Sequence, residues 1–259
     1  MHALADAWAL IAPVDCAGCG AADRALCPSC AIGLRSRPLL GALDVGSCAL
    51  PIVAALPYEG VARRVLLSLK EDCRTELARP LAGLLSTAVE LAWRESRAEL
   101  LVPIPGSWAA AGRRGFDPMR LIARQAGLVA TPVLRAVRPA RGAGSAGGGA
   151  SSGTPPAAAQ KSRTLTERLA ADASQWRVSP RVRGCRVVLV DDVITSGATV
   201  RAATLALSAA GAEIAGCAAI AATPRRVGTS SIPWRFISTA DEGHDDKRAG
   251  EDYREGKEA

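Results

Sequence analysis

The chain has 259 residues, 49% of them apolar and 3% aromatic, with a formal net charge of +7. That is enough for one domain with an accessory module, or two small domains, and for a core that does not depend on disulfides. No apolar run reaches the roughly 18 residues a transmembrane helix needs, and the first residues lack a basic-then-apolar secretory pattern, so a cytoplasmic protein is expected.

In chain order, residues 3–12 suit a short helix stopped by Pro13. Four clustered cysteines follow, and residues 34–50 read as irregular, with Pro38, Gly41 and Gly46. Ile52–Leu56 reads as a strand. Val61–Lys70 and Leu77–Trp93 read as helices, the first with Val61, Val65, Leu66 and Leu69 on one face. Leu100–Val102 is a short strand, and Pro118–Gly127 a helix with proline at its start and glycine past its end. Residues 139–159 are Gly/Ala/Ser/Pro-rich and are expected to be a flexible loop. Gln160–Ala173 suits a helix. Val187–Val190 has no polar alternation, as expected for a parallel strand covered on both faces. Thr199–Ala210 suits a helix, Ile214–Ala222 another buried strand, and Trp234–Ile237 a late edge strand. The tail from Asp241 has little to bury and is expected to be disordered. This alternation predicts an α/β fold, a largely parallel sheet flanked by helices, preceded by a small cysteine module. The expected division is 1–45 for that module, 46–240 for the α/β domain and 241–259 for the tail.

The charge is uneven. Residues 241–259 hold eight acids and four basic residues, so residues 1–240 carry +11. Arginine outnumbers lysine 28 to 4. A basic body suits anionic partners, whether phosphorylated metabolites or DNA, and composition does not choose between them. Much of the arginine excess also fits a GC-rich coding sequence.

Cys16-Ala-Gly-Cys19 and Cys27-Pro-Ser-Cys30 supply four thiols at the spacing of a closed tetrahedral site for structural Zn2+. An iron–sulfur cluster, a redox pair or a vestigial site are the rivals. The other four cysteines, Cys48, Cys73, Cys185 and Cys217, are scattered. In a reducing compartment Cys73, Cys185 and Cys217 read as packed residues rather than disulfide partners, and Cys48 as a stray thiol of the cysteine module.

The most informative stretch is Val187-Val-Leu-Val-Asp-Asp-Val-Ile-Thr-Ser-Gly-Ala-Thr199. A buried strand runs into two acids and then a small-residue turn that opens a helix. Such a turn presents consecutive N–H groups to an anion, aided by the helix dipole. Asp191 and Asp192 would repel a phosphate but accept well from hydroxyls. A phosphorylated sugar with a vicinal diol meets both demands, whereas a bare phosphate backbone does not. The rival is an ordinary strand–turn–helix with a capping hydroxyl.

This stretch resembles the phosphoribosyl-pyrophosphate signature of type I phosphoribosyltransferases. The resemblance assigns Asp191 and Asp192 to the ribose hydroxyls. It assigns Thr195, Ser196, Gly197, Ala198 and Thr199 to the 5-phosphate. Within that group the chain resembles the ComF family, associated with competence. The resemblance runs through the four-cysteine ribbon, Tyr58-Glu-Gly-Val-Ala-Arg with Leu69-Lys70, Val102-Pro-Ile-Pro105, Arg113-Arg-Gly-Phe116, Gln160 and Arg168. Asp117 and Ala171 stand where that family usually has asparagine. The resemblance implies phosphoribosyl pyrophosphate and Mg2+ as ligands, with Arg113, Arg114 and Lys70 as candidates for the diphosphate. It leaves the acceptor unnamed and makes a homodimer plausible. A 6-oxopurine acceptor is disfavoured, because the acid such enzymes carry at the position of Thr195 is missing. The rival function is a non-catalytic module acting in DNA uptake with DNA or competence-machinery proteins. Nine aromatic side chains argue against a broad stacking platform for single strands.

Overall fold

The uninterrupted apolar runs become the parallel centre of one sheet. The computed structural model describes residues 14–45, 48–94, 96–106, 112–137, 176–223 and 235–236. The helices expected over 3–12 and 160–173, the loop over 139–159 and the tail from Asp241 lie outside the described residues. Among the described residues, six strands share the sheet: β1 (Leu39–Asp44), β2 (Ala49–Pro57), β3 (Leu100–Pro103), β6 (Arg186–Ile194), β7 (Glu213–Ala222) and β8 (Arg235–Phe236). Their order is β3-β6-β7-β2-β1-β8. Neighbours among β3, β6, β7 and β2 pair in parallel, while β1 is antiparallel to both β2 and β8. Two further strands, β4 (Leu134–Ala136) and β5 (Trp176–Val178), form a separate antiparallel pair. At three residues each they carry too little alternation to be read from sequence.

The alternating residues of β6 divide the interior into two cores. Val188 and Val190 join Ala218 and Ile220 of β7 on one face. Against them pack helices α2 (Gly60–Glu71), α3 (Ala78–Trp93) and α4 (Pro118–Gln125). Val187 and Leu189 join Cys217 and Ala219 on the other face, under α5 (Ala198–Ala209) and the β4–β5 pair. Residues 217–222 of β7 are fully buried and mostly alanine, so helices approach the middle of the sheet closely.

The irregular stretch expected over 34–50 instead contains β1. Pro38 only precedes this strand, where its missing N–H breaks no ladder. Gly41 lies opposite Ile52, and Leu39 and Leu43 are fully buried opposite Ala54 and Leu50. Two buried leucines at even spacing outweigh the glycine and proline punctuation. The sheet therefore begins at Leu39, ahead of residue 46.

The cysteine segment has one short helix, α1 (Pro28–Gly33), with Cys27 at its N-cap. Asp117 caps α4, accepting from the N–H groups of Met119 (3.0 Å) and Arg120 (3.3 Å). Asparagine would cap this helix equally well.

Candidate functional site

The carboxyl ends of β2, β3, β6 and β7 open on the same edge of the sheet, where ligands bind in α/β folds. β6 runs on to Ile194, so the two acids lie within the strand rather than after it. Successive strand residues face opposite ways, which sends Asp191 toward the α5 side and Asp192 toward the α2 side. Lys70 meets Asp192 there, with its Nζ 2.7 Å from Oδ1.

Among the described residues, no such cation contacts Asp191. Its Oδ1 accepts the N–H of Asp192 at 2.8 Å. Burial, reinforced by the charge of Asp192, pushes this carboxyl up to about 8; the Asp192 N–H and the more distant Lys70 only partly offset that. The same burial, with Asp191 close by, raises the Cys217 thiol well above its ordinary range. A carboxyl that is half protonated near pH 8 can donate as well as accept. The two acids thus differ: one is ion-paired, while the other holds its proton at neutral pH.

The loop between β6 and α5 is shaped by Gly197. This residue adopts φ +73°, and a Cβ there would stand 2.6 Å from Leu43 Cδ1, so β1 packs directly on the turn. Arg201 of α5 ties the two together, donating from Nε to the Asp44 carbonyl (2.8 Å) and from Nη1 to the Ser196 carbonyl (3.0 Å). The N–H of Ala198 reaches Ser196 Oγ at 3.3 Å. Among the described residues, the N–H groups of Thr195, Ser196 and Gly197 find no partner. Thr195, Ala198 and Thr199 are exposed and Ser196 half-buried. A row of free N–H donors before the N-terminus of a twelve-residue helix can hold an anion.

The residues singled out for the diphosphate separate. Lys70 lies in the site through Asp192. Arg113 is exposed. The guanidinium of Arg114 turns instead to the Lys70 carbonyl, 2.6 Å from Nε, and to Glu71 Oε1, 3.3 Å from Nη2. Ile104 donates its N–H to the Val190 carbonyl at 2.8 Å, which keeps the turn after β3 beside the acids.

The four cysteines form a second site. The sulfurs of Cys16, Cys19, Cys27 and Cys30 all lie within 4.8 Å of one another. Cys19 and Cys27 sulfurs are 3.7 Å apart. Tetrahedral thiolates at zinc–sulfur distances stand about 3.8 Å apart, so the cluster could hold an ion such as zinc. The N–H groups of Gly18 and Cys27 point at Cys16 Sγ (3.4 and 3.3 Å), and that of Cys30 at Cys27 Sγ (3.4 Å). Burial works to raise Cys16, but the N–H groups of Cys27 and Gly18, aided by Cys19, outweigh it and hold the thiol down at about 6. Burial and the neighbouring thiols of Cys27, Cys19 and Cys16 push Cys30 up to about 12. A Cβ on Gly18 would stand 2.5 Å from Cys30 Sγ, so only glycine fits this turn.

Sequence reasoning missed the residues that dock this cluster. Arg64 of α2 donates to the Gly18 carbonyl, and Arg74 reaches the carbonyls of Asp15 (2.7 Å) and Ala25 (3.5 Å). Val61 packs against both Gly18 and Gly33. No helix among the described residues is long and apolar enough to cross a membrane.

Comparison with known families matches residues 113–255, more than half of the chain, to the phosphoribosyl transferase domain. No curated protein matches the chain.

Proposed function

Because the chain belongs to the phosphoribosyl transferase domain family, we propose that it binds phosphoribosyl pyrophosphate at the end of β6 and transfers its phosphoribosyl group to an acceptor. The observation that carries this reading is the juxtaposition of free N–H groups at 195–197 with two carboxyls on the preceding strand. The loop from Thr195 to Thr199 takes the 5-phosphate through N–H and hydroxyl donors. Asp192 and Asp191 accept from the ribose hydroxyls, which orients C1 toward the open edge of the sheet. Lys70 neutralises Asp192, and the exposed Arg113 supplies positive charge on the diphosphate side. The acceptor forms a bond to C1 as the bond to the diphosphate oxygen breaks, and the electron pair leaves with the diphosphate. Positioning both partners supplies most of the rate, as in other displacements of this kind. The Asp192 carboxylate and the ligand's own oxygens would suit Mg2+, which would supply charge neutralisation for the departing diphosphate.

At the cysteine cluster, the sulfur spacing and N–H···S contacts support structural zinc, held by Cys16, Cys19, Cys27 and Cys30. That cluster, with Arg113-Arg-Gly-Phe116 behind it, supports placement in the ComF branch.

Calorimetric titration with phosphoribosyl pyrophosphate and Mg2+ tests the proposal, with Asp192→Asn as control. Binding by the wild type, weakened at least tenfold in the variant, is expected. No heat from the wild type overturns the ligand assignment. Binding without pyrophosphate release, across a panel of bases and amines, overturns the transferase step and favours a non-catalytic ligand-binding module.

A further inference from the structure

Arg114 stands in a run that the sequence assigns to a diphosphate grip, yet its guanidinium is committed elsewhere. Its Nε donates to the Lys70 carbonyl at 2.6 Å, and its side chain is only 16% exposed. Lys70 is the penultimate residue of α2, and the last carbonyls of a helix have no intrahelical donor. The N–H of Arg74, four residues on, bonds the Ser68 carbonyl at 3.2 Å rather than that of Lys70. Arg114 therefore supplies the donor that the end of α2 lacks, and its charge suits the negative end of the helix dipole. From that same backbone, Lys70 extends 2.7 Å from Asp192.

We infer that Arg114 is a positioning residue that holds Lys70 on Asp192, and is not itself a grip on the diphosphate. A lysine stem has four rotatable carbons and loses much entropy when held in one place. Closing the helix end beneath it removes part of that freedom before any ligand arrives. Lys70 in turn offsets the charge of Asp192 beside the buried Asp191, so the carboxylate stays in place without a partner cation from solution. The ligand's identity comes from the phosphoribosyl reading; the Arg114–Lys70–Asp192 chain does not depend on it.

The test uses the full chain and the variants Arg114→Gln, Lys70→Met and the double variant. The chain has four lysines, so their side-chain ammonium groups are resolvable by heteronuclear NMR after lysine-specific labelling. Without ligand, the wild type is expected to show a protected lysine ammonium that is absent from Lys70→Met and lost or averaged in Arg114→Gln. With Mg2+, Arg114→Gln is expected to weaken ribose 5-phosphate and phosphoribosyl pyrophosphate by the same factor, about tenfold. It should add little to Lys70→Met in the double variant, because both act on one pair. Loss confined to phosphoribosyl pyrophosphate, with the lysine signal intact, overturns the inference in favour of a direct diphosphate grip. If the wild type binds neither sugar, the phosphoribosyl reading fails, and the lysine signal alone decides the role of Arg114. Should Arg114→Gln fail to fold, Arg114→Lys, which keeps one donor for the carbonyl, takes its place in the same comparisons.

Discussion

Replacing Asp191 by asparagine keeps the side-chain shape and the oxygen that accepts the Asp192 N–H at 2.8 Å, but removes the titrating group. In the folded chain burial and the charge of Asp192 move this carboxyl from its ordinary 3.8 to about 8, with Lys70 opposing. In the unfolded chain it ionises at its ordinary value. Between pH 4 and pH 8 the unfolded chain thus releases a proton that the folded chain retains, and the wild type loses stability as pH rises. At about 1.4 kcal/mol for each pH unit the ceiling is about 6 kcal/mol. Asp191 is half-buried as a residue, and water at the strand end reduces the ceiling to an expected gain of about 2 kcal/mol at pH 8. Asp191→Asn should therefore match the wild type at pH 4 and exceed it by that margin at pH 8. Above pH 8 the gap should level off. Urea unfolding of both proteins from pH 4 to pH 9 reads the difference directly. Parallel stability curves, or an Asp191→Asn protein that is weaker at pH 8, would refute the argument that this carboxyl is held protonated by its surroundings.

Gly197→Ala forces an L residue into φ +73° and drives its Cβ against Leu43. A loss of about 2 kcal/mol is expected, visible as a fall of several degrees in Tm, and Leu43→Ala should relieve only the steric part. An unchanged Tm would mean that β1 does not pack on the loop. Arg201→Gln removes donors to the Asp44 and Ser196 carbonyls. It should weaken 5-phosphate binding several-fold, measured with ribose 5-phosphate, with a smaller effect on stability. Gly18→Ala places a methyl group on Cys30 Sγ and should reduce bound metal well below one ion per chain by elemental analysis. Stripping metal from the wild type with a chelator should speed amide hydrogen exchange in the first half of α2, because Arg64 and Val61 lose the ordered turn they dock on. Exchange unaltered across α2 would show that the cluster keeps its shape without metal.

Much of the site was legible because its signals are local. Runs such as Val187–Val190 and Ile214–Ala222 have no polar alternation, and only strands covered on both faces tolerate that. The pair of Cys-x-x-Cys motifs placed four sulfurs together, and the small residues from Thr195 to Thr199 announced a turn with donors to spare. β1 was hidden because proline and glycine read as breakers, whereas burial of Leu39 and Leu43 against β2 decided the matter. The partners of the charged residues were hidden for a different reason. Arg114 looked like a ligand grip from its neighbours in sequence, yet it serves the end of a helix 44 residues earlier. Lys70 and Asp192 are 122 residues apart, and Arg64 meets Gly18 across 46. Local sequence patterns carry the periodicity of burial and the chemistry of turns. Which cation meets which carboxylate depends on how whole elements stack, and here that was decided by α2, lying between the cysteine cluster at one end and the paired acids at the other.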